Sequence, residues 1–79
     1  MTYPGDGGEP LDVPIRDGAI RLGQFLKLAG LIDSGADAKT VIADGQVSVN
    51  GEVEQRRGRQ LRHDDVVVFS GRSARVVDG

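Results

Sequence analysis

Residues 39–62 of this 79-residue chain read KTVIADGQVSVNGEVEQRRGRQLR, in which a helix end, a β-hairpin and a basic cluster follow one another directly. Asn50-Gly51 between alternating valines marks the hairpin, because both residues tolerate the positive φ of a tight turn. Four arginines lie among the last eight residues with no acidic residue between them. A local cluster of positive charge of this kind indicates a polyanionic partner.

The sequence allows two lengths for the hairpin loop. A two-residue loop sets Val49 opposite Glu52, whereas a three-residue loop sets Val49 opposite Val53 and gathers Val47, Val49 and Val53 on one face. Because the longer loop keeps the apolar side chains on a single face of the sheet, we predict a three-residue loop.

Two short helices precede the hairpin. Apolar residues at helical spacing predict the first from Leu22 to Ala29, ended by Gly30. The second is predicted to begin at the capping residue Ser34 and to stop at Gly45. Both helices are too short to be stable without tertiary contacts.

The remaining elements are short strands, which together with the helices predict an α+β fold. Strands are expected at residues 11–15, 66–69 and 74–77, the first at a sheet edge because Pro14 has no amide hydrogen to donate. Residues 1–10 are rich in glycine and proline and are expected to form a flexible acidic tail. Residues 11–79 then form one domain.

The composition excludes several classes of function. The chain has no cysteine, which removes disulfides, thiolate metal sites and thiol nucleophiles. A chain this short buries only about 60% of its unfolded surface, so no large substrate cavity and no cofactor are expected. The sequence has neither an apolar run of about 20 residues nor a signal-peptide pattern, so we expect a cytoplasmic protein without a membrane partner.

The charges are distributed unevenly along the chain. The net charge is -2, but residues 1–15 carry three acids and no base, whereas residues 16–62 carry eight Lys or Arg against six acids. The body of the domain is therefore weakly basic.

Three segments resemble the S4 RNA-binding domain family: residues 21–27, residues 38–42 and residues 45–51. Residues 52–61, EVEQRRGRQL, are similar to its small stand-alone bacterial subclass, the YbcJ type. The resemblance covers residues 16–79 and implies the S4-like (alpha-L) fold, in which two short helices pack on a small, mainly antiparallel sheet. It also implies that RNA lies against the helix pair and the following hairpin.

Two positions depart from the family pattern. Gly35-Ala36 stands where many members carry a basic residue at the start of the second helix, so the contact of that side chain is absent. His63-Asp64 stands where many members have Pro-Gly, which changes the expected turn.

The resemblance and the charge pattern together give the RNA-binding candidates. Guanidinium groups match phosphate oxygens bidentately, and lysines on exposed helix faces are free to reach a ligand. Phe25 and Phe69 are predicted to be core residues, so structured RNA is expected to be recognised by shape and phosphate position, without base stacking. The candidates are Arg21, Lys27, Lys39, Gln46, Arg56, Arg57, Arg59 and Arg62.

The resemblance further implies ribosomal RNA or a ribosomal particle as the partner, and we expect a monomer that is not an enzyme. The residues themselves do not exclude DNA, and the preference for RNA rests on the resemblance. The main alternative is a protein-interaction module of the same fold, with the basic edge on an acidic protein. A hydrolase using His63 with Asp65 is a third hypothesis, but no second histidine or cysteine could complete a metal site.

Overall fold

The computed structural model describes residues 10–79, so the predicted acidic tail lies outside the described residues except for Pro10. Within this part of the chain, two strands are followed by two helices and then by five strands, an order that matches the predicted α+β class. The elements are β1 (Leu11–Ile15), β2 (Ile20–Arg21), α1 (Leu22–Leu28), α2 (Gly35–Ala43), β3 (Val47–Val49), β4 (Glu52–Val53), β5 (Gln60–Leu61), β6 (Val66–Phe69) and β7 (Arg72–Asp78).

The main sheet has five strands in the order β1-β7-β6-β3-β4. β1 runs parallel to β7, and the other neighbours are antiparallel. β1 lies at one edge, as Pro14 predicted, because an edge strand can lack an amide donor on its open side. The two short helices and the mainly antiparallel sheet are those of the predicted architecture.

Both helices begin and end where the sequence predicted. The hydroxyl oxygen of Ser34 accepts a hydrogen bond of 3.3 Å from the backbone amide of Asp37, which caps α2. Gly30 and Gly45 follow α1 and α2 with φ values of 75° and 76°, a conformation that glycine adopts at no steric cost.

Side chains from both helices and from strands of both sheets pack into one mainly aliphatic core. Phe25 is its single large aromatic residue among the fully buried side chains of residues 10–79, as predicted, and Phe69 packs partly buried against it. The buried hydrophobic residues are Val13, Ile15, Leu22, Phe25, Leu26, Leu31, Ala38, Ile42, Val47, Val49, Leu61, Val67, Ala74 and Val76.

The prediction of a three-residue hairpin loop is wrong. Val49 pairs with Glu52, so the loop is Asn50-Gly51, with φ values of 52° and 87°. Two successive positive φ values are those of a type I′ turn, whose twist matches that of the strands it joins. Val53 consequently faces outward and is 64% exposed. The preference of Asn50-Gly51 for a type I′ turn therefore outweighs the free energy that burial of Val53 would contribute.

The sequence did not predict the small sheet formed by β2 and β5. Ile20 pairs with Leu61 and Arg21 pairs with Gln60 in an antiparallel ladder. Strands of two residues are too short to show an alternating pattern. The final strand, β7, is also longer than the predicted residues 74–77.

α2 is the longest helix of the described region and has nine residues. Accordingly, none of the helices within residues 10–79 has the length and apolar character needed to cross a membrane.

Candidate nucleic-acid interface

Residues 54–59, which we call the arginine loop, connect β4 to β5 and contact the start of α1. The backbone amides of Leu22 and Gly23 donate hydrogen bonds of 2.8 and 3.0 Å to the carbonyl oxygens of Arg59 and Arg57. The first amides of a helix have no partner within the helix, and α1 has no side-chain cap. The arginine loop therefore supplies acceptors that α1 needs, and is fixed against it.

An open cleft of about 360 Å³ lies between α1, the start of α2 and the arginine loop. Three of its lining residues are basic: Arg21, Lys27 and Arg57. None of the described residues that line it is acidic. The lining consists of Arg21, Gly23, Gln24, Lys27, Gly35, Ala38, Arg57 and Gly58.

Small residues allow the three segments around the cleft to approach closely. A Cβ atom built on Gly23 would lie 3.6 Å from the Cβ of Arg57 and 3.9 Å from the Cβ of Ala38. These are ordinary van der Waals distances, so a larger side chain at Gly23 would have to extend into the cleft. The absence of a side chain there leaves the space between the basic groups open.

Glu54 organises the arginine loop from within. Its carboxylate oxygens lie 2.9 Å from Nη1 of Arg59 and 3.3 Å from Nε of Arg56, and the Arg56 backbone amide donates to it at 3.1 Å. Hydrogen bonding by Arg59, followed by that of Arg56, lowers the pKa of Glu54 although burial opposes this shift. The carboxylate is therefore held in its charged form.

Glu54 was not among the site residues predicted from the sequence. It is 8% exposed and is the one buried charged residue in the described region. Its position two residues before Arg56 was a signal, but the predicted loop turned Val53 inward, whereas Val53 is in fact exposed. In a strand, successive side chains point to opposite faces, so a residue next to an exposed one faces inward.

The structure brings together three of the eight predicted site residues and separates the others. Arg21, Lys27 and Arg57 line the cleft. Arg56 and Arg59 line a neighbouring shallow depression, with Gly58 and Gln60, and both are paired with Glu54. The residues that line neither surface are Lys39, Gln46 and Arg62.

Of the three outlying candidates, Gln46 and Arg62 make local hydrogen bonds. Lys39 is exposed on α2. The side-chain nitrogen of Gln46 donates to a carboxylate oxygen of Asp44 at 3.4 Å, and the backbone amide of Arg62 donates to Asp65 at 2.9 Å.

Gln24 lines the cleft but was missed by the sequence analysis. Arg21, Gln24 and Lys27 recur at every third residue, which places them along one side of α1. This polar spacing opposite the apolar stripe was the signal that could have identified Gln24.

The hydrolase hypothesis receives no support from the arrangement around His63. Nδ1 of His63 accepts a hydrogen bond of 3.2 Å from the backbone amide of Asp78. Asp65 instead accepts hydrogen bonds from the Asn50 side chain at 3.0 Å and from the Arg62 amide at 2.9 Å. Within residues 10–79, no group of three or more His, Asp or Glu side chains is placed to hold a metal ion.

Comparisons with known proteins find small S4-domain proteins. A family model described as "S4 domain" matches residues 13–77. A Bacillus subtilis protein named "Probable ribosome maturation protein RlbA" is 52% identical over 52 residues, which are 66% of this chain and 73% of that protein. Escherichia coli YbcJ is 45% identical over 58 residues, which are 73% of this chain and 83% of YbcJ.

Two solved structures share the fold. The solution structure of Escherichia coli YbcJ, described as having an alfaL motif involved in RNA-binding, covers 98% of this chain and 96% of that one, with a TM-score of 0.63 and 35% identity. The crystal structure of 30S ribosomal protein S4e from Thermoplasma acidophilum covers 75% of this chain, with a TM-score of 0.58 and 25% identity. The chain spans 31% of that S4e chain.

Proposed function

This chain belongs to the S4 domain family, with the small stand-alone proteins YbcJ and RlbA as relatives, and on that basis we propose that it is a non-catalytic module that binds structured RNA. The family match and the YbcJ structure support an RNA-binding role. We further propose that the RNA is ribosomal, that the protein acts in the cytoplasm and that it binds as a monomer.

The observation that carries this proposal is the meeting of Arg21, Lys27 and Arg57 on one cleft. Arg21 and Lys27 belong to α1 and its N-cap, whereas Arg57 belongs to the arginine loop, and the described residues of the lining include no acid to neutralise them. When the basic groups of such a cleft neutralise RNA phosphates, counterions condensed on the RNA are released. This release drives binding without requiring contact with the bases.

The side chains of the cleft also support recognition of folded RNA. Proteins that read unpaired bases stack them on aromatic platforms, but no aromatic residue of the described part of the chain lines the cleft. Phe25 is fully buried and Phe69 packs against the core. Binding is therefore directed by the positions of phosphates, which are fixed only in a folded RNA.

The ribosomal identity of the RNA rests on the relatives. RlbA is named for ribosome maturation, and S4e is a protein of the 30S subunit. The alternative, in which the basic edge meets an acidic protein, gains no support from the comparisons.

Crosslinking in bacterial extract, followed by sequencing of the attached nucleic acid, tests the proposal. We expect ribosomal RNA to be enriched over messenger and transfer RNA, and Arg57→Ala to abolish most of the enrichment. Arg75→Ala is the charge-matched control, because Arg75 lies on β7, pairs with Asp12 at 2.9 Å and does not line the cleft. Recovery of no RNA, or equal loss in both variants, would contradict the proposal.

A further inference from the structure

Within residues 10–79, Glu54 is the one buried charged residue, and the other buried residues are hydrophobic. Removing a carboxylate from water is unfavourable unless hydrogen bonds and opposite charges compensate it. Glu54 has this compensation from three donors, all of which belong to Arg56 and Arg59. The unfavourable burial of the carboxylate is therefore compensated only while Arg56 and Arg59 donate to it.

Pairing with Glu54 divides the arginines of the arginine loop into two groups: Arg56 and Arg59 are paired with it, and Arg57 is not. Arg59 is held most firmly, with the shortest contact to Glu54 and a side chain that is only 33% exposed. Arg56 is 83% exposed but uses Nε and its backbone amide on the same carboxylate. Arg57 lies between them in sequence, has no carboxylate within salt-bridge distance among the described residues and lines the cleft.

The backbone of the loop links this division to α1. The amide of Arg59 donates to the carbonyl of Arg56 at 3.2 Å, which closes a turn around Arg57 and Gly58. The carbonyls of Arg57 and Arg59 in turn accept the first amides of α1. By holding Arg56 and Arg59, Glu54 fixes the turn that directs Arg57 toward the cleft.

We propose that Glu54 is a specificity-determining residue, which holds Arg59 and Arg56 by hydrogen bonds so that they bind phosphates less indiscriminately, and which positions Arg57 for a folded RNA. This inference rests on the proposed function. Non-specific affinity for nucleic acid grows with the number of phosphates neutralised, so a carboxylate that offsets one of these two guanidinium charges and engages donors of both lowers it. Holding Arg57 in place before binding lowers the ordering cost of the specific complex.

The test compares Glu54→Gln with Glu52→Gln. Both variants remove one negative charge from the same hairpin, but Glu52 is exposed and makes no salt bridge within the described region. Dissociation constants are measured for an RNA stem-loop and for a poly(U) strand of equal length at several salt concentrations. Circular dichroism establishes that each variant is folded.

For Glu54→Gln we expect a steeper salt dependence on poly(U), by about 0.7 in the slope of log K against log salt for each phosphate gained. The preference for the stem-loop over poly(U) should fall severalfold. Glu52→Gln should keep the wild-type slope and preference. Equal behaviour of the two variants would overturn the inference while leaving the proposed function intact, whereas wild-type protein without any preference for the stem-loop would overturn both.

A second pair of variants tests the inference if Glu54→Gln fails to fold. Arg59→Gln, with Glu54 present, should leave the slope on poly(U) nearly unchanged because Arg59 is already engaged by Glu54 and is not free to take a phosphate. Arg57→Gln should lower the slope by about 0.7, the contribution of one phosphate contact on a single strand. A slope lowered equally by Arg59→Gln would overturn the division of the arginine loop.

Discussion

The side-chain oxygen of Asn50 accepts a hydrogen bond of 3.0 Å from the backbone amide of Val66, the first residue of β6. The backbone amide of Asn50 donates to the carbonyl of the same Val66 at 2.8 Å, and its side-chain nitrogen donates to Asp65 at 3.0 Å. Asn50 thus joins the hairpin turn to the neighbouring strand while it occupies a left-handed conformation, with φ at 52°.

These contacts predict different costs for two substitutions of Asn50. Asn50→Gly loses the two side-chain hydrogen bonds, each worth about 0.5 to 1.5 kcal/mol, but tolerates the positive φ. Asn50→Ala loses the same bonds and must also adopt the left-handed conformation, which costs about 1 to 2 kcal/mol more. Urea denaturation of both variants measures the difference in the free energy of unfolding.

Because neither variant retains the side-chain amide, the glycine variant is the control for the lost hydrogen bonds. Equal stability of Asn50→Gly and Asn50→Ala would contradict the left-handed turn at this position. That result would also make a three-residue loop a valid alternative again.

The hairpin illustrates how much of the fold could be predicted from the sequence. Asn50-Gly51 correctly predicted the turn, and the caps Ser34 and Gly45 correctly predicted the bounds of α2, because these signals are local. The register was predicted wrongly because it depends on contacts of Asn50 with β6 and on the inward position of Glu54, which are tertiary.

The candidate site was predictable in residue type but not in arrangement. Arg21, Lys27 and Arg57 were all among the candidates, but Arg57 lies in a different segment of the chain from Arg21 and Lys27, and no local pattern groups the two segments. The β2-β5 pair and the hydrogen bonds from the start of α1 to the arginine loop bring these segments together. Neither interaction leaves a periodic signal in the sequence.

The acid stability of the domain should depend on Glu54. Its pKa is lowered from the ordinary value of 4.5, first by the hydrogen bond from Arg59 and then by those from Arg56. A carboxyl whose pKa is lower in the folded state stabilises the fold above its unfolded pKa, and this stabilisation is lost as the pH falls through the folded pKa. We therefore expect the contribution of Glu54 to be complete at neutral pH and to decline below about pH 4.5.

The measurement is the free energy of unfolding of wild-type protein and Glu54→Gln from neutral pH to about pH 3. Wild type should be the more stable at neutral pH, and the difference should narrow in the acidic range because glutamine does not titrate. A difference that stays constant across the whole range would show that the carboxylate charge does not stabilise the fold.

Lys27 and Lys39 provide a matched pair for locating the RNA. Each contributes one positive charge, each is exposed on a helix, and both were predicted to bind RNA. Only Lys27 lines the cleft with Arg21 and Arg57. If phosphates occupy the cleft, Lys27→Ala should lower the slope of log K against log salt by about 0.9 on a duplex stem, whereas Lys39→Ala should leave it nearly unchanged.

Affinity should follow the same order. A charged hydrogen bond to phosphate is worth about 1.5 to 3 kcal/mol, so Lys27→Ala should weaken binding to an RNA stem-loop by an amount approaching this range. Lys39→Ala, which has the same change in net charge, should cost less than about 0.5 kcal/mol because screening by salt weakens an exposed charge that contacts no phosphate. Filter binding or fluorescence anisotropy measures both, and urea denaturation verifies that the two variants are equally stable. If Lys39→Ala lost as much affinity and slope as Lys27→Ala, the RNA would extend along α2 beyond the cleft, and the grouping of Arg21, Lys27 and Arg57 would not define the binding surface.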